Sequence, residues 1–250
     1  MEEANHEMQR LLGETASPPA ADLVLDGRPL DAAWVISVLE PYLTEARRVR
    51  TEEVLDGRTY TVATVVEGLI NTGNVSAVMR SAEALGFQPF HVITGQEQRY
   101  KTSQRTSQGA EKWLDVFPWE APADCVAHLK AHGYTVVATH LDATSVPIGE
   151  IDFTQKTALV FGNERDGISQ EMAALADRRC LIPMPGFTQS FNISVAAAVA
   201  LYHARQDRLF RQGFQGDLSD AARLDVRARF YRRGIRHAEN LLRRALAETG

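Results

Sequence analysis

Residues 60–93 read YTVATVVEGLINTGNVSAVMRSAEALGFQPFHVI, and this stretch decides the fold class. Tyr60 to Glu67 is rich in β-branched residues and reads as a buried strand. A loop from Gly68 to Gly73 follows. Asn74 to Gly86 then reads as a helix with a terminal glycine as its left-handed stop. Phe90 to Ile93 is the next strand. Strand, loop, helix and strand in that order make the unit of a parallel sheet.

Downstream, the same alternation continues. Trp113 to Phe117 reads as a short strand, Ala123 to His132 as a helix closed by Gly133, and Tyr134 to Thr139 and Thr157 to Phe161 as further strands. The last of these runs into Gly162-Asn163-Glu164-Arg165-Asp166-Gly167-Ile168-Ser169, a charged turn bracketed by glycines. A helix from about Ser169 to Ala176 is expected after it. Ligands of open α/β sheets bind at such turns, and Glu164 there would accept hydrogen bonds from a ligand hydroxyl or amino group. The chain has neither GxGxxG nor a Walker motif, which argues against a standard dinucleotide or nucleoside triphosphate site. Next comes LIPMPGFTQSFNISVAAAVALY, residues 181–202. Leu181 to Met184 reads as a buried strand, Pro185-Gly186 as a tight loop, and Ser194 to Tyr202 as a helix of small residues that permits close backbone approach. Ser190 and Asn192 stand at the start of that helix, placed either to cap it or to bind a ligand.

Upstream, residues 1–28 read as weakly ordered. Pro29 to Leu43 reads as a helix interrupted by Pro41. Thr44 to Leu55 reads as a second helix carrying Arg47, Arg48 and Arg50, either a solvated basic face or an RNA-facing arm. Residues 95–112 alternate bases, Arg105 among them, with Gln, Ser and Thr. They read as an exposed loop or one that contacts substrate. The tail from Asp220 to Leu246 carries a helical apolar stripe, with eight bases against three acids in residues 221–250. A solvated helix face and an RNA-phosphate clamp, with Arg232, Arg233 and Arg236 in it, are the two readings of those bases.

The 250 residues carry a net charge of −5, but residues 1–45 alone hold −7, so the remainder is slightly basic. With 44% apolar residues a substantial core is expected, and no apolar run approaches membrane-spanning length. Cys125 and Cys180 are far apart and lack metal-ligand spacing, as free thiols of a reducing cytoplasm would be. No metal-ligand cluster is evident. The expected organisation is an N-terminal extension and helical arm (1–58), a central α/β domain (59–205) and a basic helical extension (206–250).

Three stretches, in order, resemble the motifs of the SpoU/TrmH ribose 2′-O-methyltransferases of the SPOUT superfamily. They are Asn71 to Arg80, Phe161 to Ser169, and Ile182-Pro183-Met184 through Ser190-Phe191-Asn192-Ile193-Ser194-Val195-Ala196. Within the family the likeness is greatest to its tRNA guanosine branch, through Thr44 to Leu55 and Thr106 to Trp113. Gly68, where that branch often has Asn, and Phe191, where Leu is usual, depart from the pattern. The resemblance implies a parallel sheet flanked by helices with a C-terminal trefoil knot, S-adenosylmethionine as cofactor, a homodimer, and methyl transfer to a ribose 2′-OH of RNA, foremost a D-loop guanosine of tRNA. It implies Arg80 as the catalytic arginine with Asn74 holding it, and Glu164, Ser190 and Asn192 near the reacting groups. Gly162, Ile182 and Phe191, with Thr139 and Met184 beside them, are implied to line the cofactor. Rival readings are an rRNA methyltransferase of the same family and an RNA-binding protein without catalysis.

Overall fold

The structure is a computed structural model and describes residues 23–68, 72–94, 109–163, 165–188 and 190–249. These form two compact units, Gly57–Asp217 and a terminal unit made from both chain ends. The sequence reading separates the two ends into different extensions. In the structure they share one unit, and residues 206–217 stay with the sheet.

The terminal unit begins with an antiparallel hairpin, β1 (Val24–Leu25) and β2 (Arg28–Pro29). Its turn is Asp26-Gly27, with φ of 51° and 77°, the left-handed pair that a two-residue hairpin turn demands. Residues 23–28 are therefore ordered, against the expectation from sequence, while residues 1–22 lie outside the described residues. Helix α1 (Ala32–Leu39) starts where Asp31 Oδ1 accepts the Trp34 amide at 2.8 Å. Pro41, inside the 3₁₀ turn Glu40–Tyr42, cannot donate to an α-helical ladder, so α1 stops there. Helix α2 spans Glu45–Asp56.

The sheet unit runs β3 (Val62–Glu67), α3 (Thr72–Ala84), β4 (Pro89–Ile93), β5 (Asp115–Trp119), α4 (Pro122–Ala131), β6 (Thr135–Thr139), β7 (Val146–Pro147), β8 (Thr157–Phe161), α5 (Gln170–Leu175), β9 (Arg178–Leu181) and α6 (Ile193–Gln212). Strand order is β5-β4-β3-β8-β6-β9-β7, and every pairing is parallel. Side chains alternate across the central strands. Val62, Val66, Val137, Leu159 and Phe161 face α3 and α6, where Val78, Met79, Ala197 and Ala200 meet them. Ala63, Val65, Val136, Ala138, Ala158 and Val160 face Cys125, Val126 and Leu129 of α4 and Met172 of α5. Each large aliphatic side chain buried this way contributes about 1.5–3 kcal/mol. Gly86, between α3 and β4, has φ +87°, and a Cβ there would meet the Gly57 carbonyl oxygen at 2.2 Å.

Strands β6 and β7 follow one another in sequence, yet β9 is hydrogen-bonded between them. The chain joining β6 to β7 therefore passes across β9. It is held there by the His140 amide on the Cys180 carbonyl (2.9 Å) and by Arg179 on Asp142 (2.9 Å). On the sheet's other side His91 is buried, stacked on Phe117 with centroids 4.6 Å apart. Its Nδ1 accepts from Trp119 Nε1 at 3.0 Å. Burial, with His128 and His132 nearby, pushes the His91 imidazole down to about 3.

Two sequence expectations need correction. The strand near residue 181 is Arg178–Leu181, not Leu181 to Met184. Pro183 has no amide hydrogen to give a ladder, and Ile182 to Met184 is irregular. The small-residue helix does not stop at Tyr202 but continues to Gln212, ended by Gly213 at φ +84°. Its last turns are anchored by Arg208, fully buried, which donates to Phe153 O and Gln215 O (both 2.9 Å) and to Asp217 (2.6 Å).

The tail completes the terminal unit with α7 (Asp220–Gly234) and α8 (Ala238–Thr249), parted at His237, whose φ is +60°. Val35, Leu39, Leu43, Ala228, Tyr231 and Leu242 form its core.

Candidate active site

A cavity of ≈ 320 Å³ opens at the carboxyl ends of β6, β8 and β9, where ligands of parallel sheets bind. Thr139 ends β6, Phe161 ends β8 and Leu181 ends β9, and all three line it. The remaining wall comes from His140 and Leu141 after β6, from Gly162, Asn163, Arg165 and Gly167 after β8, from Ile182, Met184, Ser190 and Phe191 after β9, and from the first turn of α6.

The turn after β8 is tightly built. Asn163 and Gly167 exchange backbone hydrogen bonds, both 3.0 Å, and Asn163 Oδ1 accepts the amides of Arg165 (2.9 Å) and Asp166 (2.8 Å). A Cβ on Gly68, which sits at φ +81°, would come within 2.9 Å of the Asn163 side-chain Nδ2. The left-handed φ is the feature that favours glycine at this departure from the family pattern. Glu67, buried at the end of β3, accepts the Ser169 amide at 2.9 Å, and Ser169 Oγ caps α5 through the Met172 amide at 3.0 Å.

Across the cavity, the Thr139 hydroxyl donates to Val160 O at 2.9 Å, so it fastens β6 to β8 and leaves the carbon side of Thr139 for the wall. His140 and Leu141 follow. His140 Nε2 lies 3.8 Å from Asp142 Oδ2. Hydrogen bonds from Thr144, Ser145 and Arg179 hold the Asp142 carboxyl well below the usual carboxylate range. Burial pushes the Cys180 thiol up to about 12, which suits a packing role. At the start of α6, Asn192 Oδ1 accepts the Ser194 amide (2.9 Å) and hydroxyl (2.6 Å), so its amide oxygen is committed to the cap.

Of the residues expected around the cofactor, Thr139, Gly162, Ile182, Met184 and Phe191 all line this one cavity, together with Ser190. Asn192 stands beside it at the helix cap. Asn74 and Arg80 are on α3 and are not among the lining residues; Arg80 is exposed. They are six positions apart, about 9 Å along the helix axis. Glu164 and Arg105 lie outside the described residues, as does most of the basic loop expected at 95–112. His140, Leu141, Arg165 and Cys180 are additions that the motif stretches do not point to as wall residues. The strand-end rule, applied to β6 and β9 as well as β8, finds them.

The basic residues of the terminal unit separate into two groups. Arg232 donates to Val24 O (3.0 Å) and Glu239 (3.1 Å), and Arg47 donates to Gly234 O (2.6 Å) at the carboxyl end of α7. Arg233 is largely withdrawn from solvent, which pushes its guanidinium down to about 10. Elsewhere in the tail, Arg223 and Arg227 converge on Glu52 at 2.8 and 2.7 Å, and Arg243 grips Asp26 with two bonds of 2.8 and 3.0 Å. These arginines staple the basic tail to the acidic N-terminal segment, which neither a solvated face nor a free phosphate clamp describes. Arg50 and Arg236 reach solvent, Arg50 while pairing with Glu53 at 2.9 Å, and Arg48 is half-buried.

The sequence profile of the SpoU rRNA Methylase family matches residues 61–202. The chain belongs to that family. A curated member of it, the tRNA (guanosine(18)-2′-O)-methyltransferase of Borreliella burgdorferi, is 32% identical over 210 residues, 83% of this chain and 95% of its own length. Among solved SpoU structures, the Aquifex aeolicus TrmH/SpoU tRNA modifying enzyme superposes with a TM-score of 0.69 at 31% identity, over 80% of this chain and all of that one. The methyltransferase AviRb of Streptomyces viridochromogenes, in complex with the cofactor AdoMet, gives a TM-score of 0.53 at 27% identity, over 60% and 59% of the two chains. The SpoU match takes in all three motif stretches and the whole wall of the cavity.

Proposed function

We propose that this protein methylates the 2′-hydroxyl of a guanosine ribose in tRNA, with S-adenosylmethionine as methyl donor. The observation that carries the reading is the convergence of Thr139, Gly162, Ile182, Met184 and Phe191 on one cavity at three strand ends. The residues present suit that cofactor. Ile182, Met184 and Phe191 offer apolar walls to an adenine ring and to the carbons around the sulfonium, and ≈ 320 Å³ is within the range of small-molecule sites. When bound, S-adenosylmethionine supplies an electrophilic methyl group.

The chain's own residues must then hold the ribose hydroxyl in line and provide for its proton. Arg80 is the residue the family resemblance assigns to this task. A guanidinium keeps its proton in proteins, so Arg80 acts as a phosphate clamp that fixes the ribose, and a phosphate oxygen or solvent takes the proton. Ser190, at the cavity wall, and Glu164 are the groups the resemblance assigns near the reacting atoms.

The passage of the 140–145 chain across β9 supports a trefoil knot around the cofactor site. Val195, Val199 and Tyr202, exposed at 46%, 41% and 56%, form one stripe of α6. An apolar stripe of this kind supports a homodimer packed on that helix. Among the described residues no helix is long and apolar enough to cross a membrane, and a tRNA substrate would place the enzyme in the cytoplasm. Incubation with labelled S-adenosylmethionine and unmodified tRNA, followed by mapping of the labelled nucleotide, tests the proposal. Label on a guanosine ribose is the expected result; label on a base, or on rRNA alone, would overturn it.

A further inference from the structure

The 162–167 turn does more than close the cavity: it holds a cation at the rim. Arg165 contributes to the wall, yet its side chain is 82% exposed. Among the described residues, the acid paired with it is its neighbour Asp166, itself 71% exposed and 4.0 Å away, too distant and too wet to neutralise it. The Arg165 amide is fixed by Asn163 Oδ1, and the two ends of the turn are bonded to one another. No carboxylate occurs among the described residues that line the cavity. Among the described residues, the Asn163–Gly167 closure thus holds a weakly compensated guanidinium at the mouth of a mostly apolar pocket.

Building on the proposed reaction, we infer that Arg165 binds the RNA phosphate adjoining the target ribose. A 2′-hydroxyl is flanked by the phosphodiester on its own 3′-oxygen. A ribose brought to the mouth of the methyl-donor pocket therefore carries that anion to the rim. A guanidinium suits it, because it donates two parallel hydrogen bonds to phosphate oxygens. Arg165 is a binding and positioning residue here, distinct from Arg80 on α3. The rival anion is the carboxylate of the cofactor itself.

The test uses the full-length protein, Arg165→Gln and Arg165→Lys, and two tRNAs, one with a neutral methylphosphonate 3′ to the target guanosine. Arg165→Gln is expected to raise KM for the native tRNA about tenfold and to lower the salt slope of RNA binding by about 0.7. Cofactor affinity by calorimetry should stay at the wild-type value. Lysine should restore the salt slope but not the full affinity. The methylphosphonate tRNA should bind the wild type about tenfold more weakly and be no further weakened by Arg165→Gln. Independent losses from the two changes would overturn the proposal, as would a fall in cofactor affinity, which would assign Arg165 to the cofactor carboxylate. Wild-type transfer to native tRNA, run alongside, separates failure of this inference from failure of the proposed reaction.

Discussion

A Cβ built on Gly162 would lie 2.0 Å from the carbonyl carbon of Gly167. The two glycines close the cavity turn so tightly that even a methyl group forces the backbone apart. Gly162→Ala is therefore expected to open the Asn163–Gly167 bridge, at a cost of about 1–3 kcal/mol, and to weaken S-adenosylmethionine binding at least tenfold. Calorimetry with the cofactor and thermal melts would check both. Wild-type affinity in the alanine variant would mean that the turn does not shape the site.

Arg80 is exposed, so its removal leaves the core untouched. Arg80→Ala should change stability by no more than about 0.5 kcal/mol and leave cofactor affinity near the wild-type value, while methyl transfer to tRNA is abolished. A variant that no longer binds S-adenosylmethionine would contradict the role given to Arg80.

Asn192 Oδ1 holds the first turn of α6 through the Ser194 amide at 2.9 Å. Asn192→Ala should cost about 1 kcal/mol, and Asn192→Ser should regain most of it. Melting temperatures of the three proteins decide the matter. If the serine variant melts with the alanine variant, the cap is not what Asn192 contributes.

The two groups of arginines should part experimentally. Arg232 is 14% exposed and bonded to Val24 O and Glu239, so Arg232→Gln should lower Tm. Arg48, Arg50 and Arg236 are proposed to meet RNA phosphates. Their combined change to Gln should leave Tm nearly unchanged and reduce the salt slope of tRNA binding by about 0.7 for each phosphate left without its arginine. A triple variant with unaltered affinity and slope would confine RNA binding to other surfaces.

His91 resists protonation in the fold until about pH 3, against an ordinary value of 6.5. The unfolded chain takes up that proton below pH 6.5 and the folded chain does not, so stability is full above 6.5 and falls as pH drops toward 3. The fall should be roughly 1 kcal/mol per pH unit from this group. His128, lowered to about 4 mainly by burial, adds to it. Denaturant melts between pH 7 and 4 should show a shallower slope in His91→Gln than in the wild type. Equal slopes would place the acid sensitivity elsewhere.

The central strands are legible in the sequence because each is an apolar run between turn residues; Thr157 to Phe161 has the same bounds in both. β9 is not legible, because it opens with Arg178 and Arg179, and the apolar residues that follow include a proline. Arg179 is accommodated in a strand by Asp142 on the crossing chain, which meets its guanidinium at 2.9 Å, and by the Ala173 carbonyl at 2.7 Å. The three motif stretches locate the cavity, but its His140 side comes from a connection whose own pattern is polar. The arginines of the tail look like a nucleic-acid surface because their acidic partners, Asp26 and Glu52, lie some 170 or more positions away in sequence. Net charge taken segment by segment separates the very groups that the fold brings together.

That pairing of the two chain ends sets an order of events during synthesis. Helices α1 and α2 emerge from the ribosome well before α7 and α8, so Val35, Leu39 and Leu43 wait for Ala228, Tyr231 and Leu242. The sheet unit, wholly encoded between them, is free to fold in the meantime. A nascent chain stalled before residue 218 would thus carry a finished methyltransferase core and an arm with its greasy side bare, a natural client for a holding chaperone. Emergence of residues 218–250 would end that exposure.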